Sequence, residues 1–186
     1  WRRWWLAVWL ALVTHPLLDA MTVYGTQLLL PFTNTPYGVG SIFIIDPLYT
    51  LPLLIGTGVA LKAGHGGAGL RWNLAGLVLS TAYLGWSALA QQQVQGVAQA
   101  ALLERGLQPQ QLLVTPTPFN TVLWRVVAIT PDAFHEGFYS LLDPAPRIHF
   151  DSFARNDDLY RSLQGQWHAD RIAWFTRGFY KMDELN

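Results

Sequence analysis

Between Trp4 and Leu103 the chain carries only four charged side chains: Asp19, Asp46, Lys62 and Arg71. Apart from Arg2 and Arg3, every other Asp, Glu, Lys and Arg lies from Glu104 onward. A water-soluble domain meets solvent on all sides and spreads its charges along the chain. So long a stretch nearly free of charge points to lipid, and the charged remainder to water. Two regions follow from this: a membrane region at 1–106 and a small soluble region at 107–186.

The uncharged half divides at its glycines and prolines. A first span is predicted from Trp4 to Tyr24, with Pro16 as a kink and Gly25 as a C-terminal cap. A second runs from Ser41 to Leu61 and a third from Leu70 to Ala90. About 20 apolar residues cross a hydrocarbon core of roughly 30 Å, which each stretch approaches. The third continues in register through a Gln-rich stretch to Gly106. Between the first two spans, Leu28, Leu29, Leu30 and Phe32 are too apolar for a free loop. That segment is expected at the membrane interface or re-entering the protein.

From Gln108 the pattern changes. Leu112–Thr115, Thr121–Thr130, Phe134–Leu142 and Arg147–Phe153 read as short strands, rich in β-branched and aromatic residues and separated by proline turns. Asn156–Leu163 and Trp167–Phe175 read as helices, and Gly178–Met182 as a further strand. The predicted fold is therefore mainly α: three transmembrane helices, then a small α+β domain with short antiparallel strands. Arg2 and Arg3 flank the first span, and Lys62 and Arg71 the loop after the second. The positive-inside rule puts these in the cytoplasm. Three crossings would then place the C-terminal domain outside it.

With zero net charge and no basic-aromatic patch, nothing favours nucleic acid. The absence of cysteine excludes disulfides, thiolate ligands and cysteine nucleophiles. A metal would need His, carboxylate or other oxygen donors.

His15 and Asp19 stand four apart, on one face of a helix. Ionisable groups in an apolar span are costly unless paired, coordinated or hydrated. Three readings stay open for the pair: a structural couple that glues the bundle, a metal or catalytic site, and a proton path through Asp19. Asp46 precedes Pro47, as an N-cap precedes a first helical proline, and it is also a candidate ligand or general base. Tyr24, Thr26 and Gln27 either line a substrate entrance or are interfacial and helix-end residues. His65 falls in a glycine-rich loop. His135, His149 and His168 lack tight ligand spacing and read as strand or surface positions.

Three stretches carry a family resemblance: Thr14-His15-Pro16-Leu17-Leu18-Asp19, Tyr24-Gly25-Thr26-Gln27 through Phe32, and Phe43-Ile44-Ile45-Asp46-Pro47-Leu48-Tyr49-Thr50. Together with Pro116–Thr121, Trp124-Arg125 and Trp174–Tyr180, they resemble a bacterial family of inner-membrane metal-dependent hydrolases, LexA-regulated in some members. The resemblance implies that His15, Asp19 and Asp46 are metal ligands, with Asp46 and Asp19 as catalytic carboxylates. One imidazole with carboxylates suits zinc, or else manganese or magnesium, and a site that the orientation places near the outer leaflet of the bilayer would admit a phosphoester or lipid-linked substrate. Such members carry further residues upstream, and a start at Trp1-Arg2-Arg3 resembles the flank of a helix in mid-protein. The rival readings are a non-enzymatic membrane scaffold or regulator and a transporter-like relay.

Overall fold

The computed structural model describes residues 1–63 and 67–183. His65 lies outside the described residues. Three helices come first: α1 (Arg2–Asp19), α2 (Pro47–Ala63) and α3 (Gly67–Glu104). Four strands follow: β1 (Gln111–Pro116), β2 (Leu123–Ile129), β3 (Ala133–Ser140) and β4 (His149–Ala154). Helices α4 (Asp157–Leu163) and α5 (Trp167–Thr176) complete the order. The chain forms two compact units, one of residues 1–92 with 115–122, the other of 93–114 with 123–183.

The expectation of three membrane crossings is not supported. Among the described residues, α3 is the one helix long and apolar enough to cross a membrane. Helix α1 has 18 residues, and they include Arg2, Arg3, His15 and Asp19. Its polar ends use up the length that lipid would require. Helix α2 is apolar but has 17 residues. At about 1.5 Å per residue it reaches about 26 Å, short of a hydrocarbon core of roughly 30 Å. Placing the C-terminal domain outside the cytoplasm depended on counting three crossings, so that step does not carry over.

Helix α1 also ends five residues earlier than its apolar run suggested. Pro16 lies inside it, and the helix continues past it to Asp19. The Thr22 hydroxyl and the Thr22 amide both donate to the Asp19 carbonyl, at 2.7 and 3.0 Å, which closes the last turn. Gly25 is therefore not the cap. Its φ of +71° forms a turn against residues 37–38, where a Cβ would stand 2.6 Å from the Tyr37 carbonyl oxygen.

Helices α2 and α3 approach closely along a small-residue seam. A Cβ on Gly76 would meet the Pro52 carbonyl oxygen at 2.3 Å, and one on Gly56 the Trp72 carbonyl oxygen at 2.7 Å. Farther along, a Cβ on Gly69 would meet Ala60 Cα at 3.0 Å. Backbone contact of this kind replaces hydrophobic driving force where the surroundings are lipid. The Ser80 hydroxyl fastens the seam by donating to the Tyr49 carbonyl at 2.7 Å.

In the second unit the sheet order is β1-β2-β3-β4, with β2/β3 and β3/β4 antiparallel. Strand β2 is interior, and Trp124, Val126, Val127, Ala128 and Ile129 are all nearly inaccessible. Val127, Ile129 and Phe134 form a core with Leu113 and Phe179 against it. The strands fall where β-branched residues and proline turns place them. Residues 178–182 do not form the expected strand; they run irregularly.

Candidate functional site

The structure brings two of the three predicted ligands together. His15 Nε2 stands 3.4 Å from Asp19 Oδ2 across one helical turn. Both side chains remain open, at 75% and 41% exposure. His15 also lines a cavity of about 510 Å³ in the first unit, with Ala11, Thr14, Leu18, Leu77 and Thr81 among the other walls. Ligand sites of this kind are largely apolar with a few convergent polar groups. Here the polar residues on the wall are His15, Thr14, Tyr49 and Thr81.

Asp46 has different work. It is 1% exposed, and both of its oxygens accept hydrogen bonds. The Leu48 amide donates to Oδ1 at 2.9 Å, which makes Asp46 the N-cap of α2. The Tyr83 hydroxyl donates to Oδ2 at 2.9 Å. That same hydroxyl lies 3.0 Å from Thr121 Oγ1, and Thr121 is itself 1% exposed. One phenol on α3 thus joins the cap of α2 to the loop 117–122. Beside it, Phe43 and Phe119 meet edge to face at 5.2 Å.

Two donors, each about 2.1 Å from a tetrahedral zinc ion, stand about 3.4 Å apart. His15 Nε2 and Asp19 Oδ2 have that separation, and imidazole and carboxylate suit zinc, and manganese as well. The pair therefore fits two positions of a divalent shell. Among the described residues, no group of three or more His, Asp or Glu stands close enough to complete one.

Thr26 and Gln27 stand on a hairpin and Tyr24 just before it, and none of the three is on the cavity wall. Thr26 bridges Tyr37, and the Gln27 side chain donates to the Asn34 carbonyl at 2.7 Å. Asn120 shapes its own turn, with Oδ1 accepting from the Val122 amide at 2.9 Å. Trp124 is fully buried. His135 is buried too, between the hydroxyls of Thr130 and Ser152. Burial, and secondarily the Arg105 charge, hold its pKa below the usual value.

Sequence reasoning missed Tyr83, Thr121 and Ser80. A signal for two of them existed: Ser80, Tyr83 and Ser87 recur at helical spacing within the long apolar helix α3, where polar groups need partners.

The first half of the chain, with its paired His15 and Asp19, its capped Asp46 and its apolar helix α3, is what family comparison picks out. Residues 1–94 match the family model described as YdjM inner membrane protein. The chain belongs to the YdjM inner membrane protein family. No curated protein and no solved structure matched it. Membership in the YdjM family, together with α3, makes this an inner-membrane protein. The matched segment contains His15, Asp19 and Asp46, and it ends before the sheet begins.

Proposed function

We propose that this YdjM-family protein is a membrane-bound, metal-dependent hydrolase whose reactive pair is His15 and Asp19. The observation that carries the proposal is an exposed imidazole–carboxylate couple whose imidazole lines an apolar cavity. A divalent cation held there would acidify a bound water and polarise a phosphoryl or carbonyl oxygen. Asp19 fixes the orientation of the His15 ring, and the apolar walls receive a hydrocarbon chain. The substrate class is therefore an amphiphilic phosphoester or a lipid-linked phosphate. Asp46 holds α2 and α3 in place rather than meeting substrate, since both of its oxygens are engaged.

The test is turnover of a labelled phospholipid and a labelled isoprenoid phosphate by the purified protein in vesicles, with and without EDTA. Turnover that disappears with EDTA and in His15→Ala and Asp19→Ala supports the proposal; equal turnover in those variants overturns it. The closed Asp46–Tyr83–Thr121 network favours a second reading, a scaffold with a structural polar cluster. That reading expects no turnover from any variant and loss of stability in Tyr83→Phe.

A further inference from the structure

Residues 26–37 form a small hairpin within the first unit, and its tip is apolar and bare. At the base, Thr26 and Tyr37 exchange both backbone hydrogen bonds, at 2.9 and 2.8 Å, and the Gln27 side chain ties across to the Asn34 carbonyl. At the tip, Leu29 and Leu30 are at least half exposed, and Phe32 is 92% exposed. No Asp, Glu, Lys or Arg occurs between Asp19 and Asp46.

We propose that this hairpin inserts its Leu28–Phe32 turn into the bilayer interface, as a membrane contact additional to α3. Lipid accepts irregular backbone only where the polar groups are satisfied within the protein. The turn meets that condition for part of its backbone: the Phe32 and Thr33 amides both donate to the Leu29 carbonyl, at 2.8 and 3.2 Å, and the Leu30 amide donates to the Gln27 carbonyl. Tyr24 and Tyr37 flank the hairpin base, both partly exposed. Tyrosines in that position match the headgroup level, where an apolar ring and a polar hydroxyl are both accommodated. A second copy of the chain is the poorer occupant. A stable protein interface buries about 1,200 Å² or more in total, and a turn of this size presents far less. The inference is independent of any chemistry at His15.

The chain has no cysteine, so single nitroxide labels report cleanly. Labels at Phe32→Cys, at Leu29→Cys and at Asn34→Cys are compared in proteoliposomes by collision with oxygen and with a water-soluble nickel chelate. Insertion predicts that oxygen dominates at 32 and 29, with a shift toward the chelate at 34. Chelate access at both tip positions overturns the proposal, as does protection from both reagents. Spin–spin broadening that grows with protein density also overturns it, because it assigns the tip to a second copy. Two tip positions keep the test decisive if one variant folds poorly.

Discussion

The Tyr83 hydroxyl donates to Asp46 Oδ2 at 2.9 Å, joining two residues 37 apart in the chain. Neither side chain is free to leave. Asp46 is 1% exposed and also caps α2 through the Leu48 amide.

Tyr83→Phe removes this donor while keeping the ring. A buried acceptor that loses a partner costs about 1–3 kcal/mol, so the melting temperature of the detergent-solubilised protein should fall. Asp46→Ala should fall further, because loss of an N-cap adds about 0.5–2 kcal/mol. An unchanged melting temperature in Tyr83→Phe would show that the network carries no weight.

The seam between α2 and α3 gives a second contrast. Gly76→Ala places a Cβ 2.3 Å from the Pro52 carbonyl oxygen, so the helices must part. Overpacking of this kind costs about 1–3 kcal/mol. Gly85→Ala meets open space on the same helix and should stabilise by up to about 1 kcal/mol through helix propensity. Thermal unfolding of the two variants side by side should show opposite signs.

These two features also mark what the sequence discloses. Asp46 before Pro47 signals an N-cap locally, and the structure contains that cap. Its bond to Tyr83 depends on how α2 and α3 pack, which no local pattern encodes. The strands are legible because turn chemistry and β-branched side chains act over a few residues. The membrane crossings are not, because apolar content alone ignores length and charge at helix ends. Helix α1 loses its case to Arg2, Arg3, His15 and Asp19, and α2 to its 17 residues. His15 and Asp19 meet because helical spacing is local, whereas bringing Asp46 to them would have required tertiary packing.

Strand β2 separates packing from charge. Trp124→Ala empties a fully buried site and should cost about 3–5 kcal/mol. Its neighbour Arg125 pairs with Glu136 on β3 and is 43% exposed. Arg125→Ala should therefore cost at most about 1 kcal/mol. Denaturant unfolding followed by sheet circular dichroism measures both.

His135 makes the second unit sensitive to acid. Burial, with the nearby Arg105 charge, lowers its pKa below the usual 6.5. The unfolded chain therefore binds a proton more readily than the folded one. The stability involved is present above pH 6.5 and is lost as pH falls from there through the lowered folded value. Unfolding midpoints should decline over that range in the wild type and decline less in His135→Asn. Parallel pH profiles for the two proteins would remove His135 as the cause.

We propose that His15 and Asp19 together hold a divalent cation beside the cavity. Metal analysis of the purified protein, after dialysis against a weak chelator, tests it most directly. Stoichiometric zinc or manganese is expected in the wild type and in Tyr83→Phe, with most of it lost in His15→Ala and in Asp19→Ala. Equal metal content in all four proteins, or none in the wild type, would contradict it.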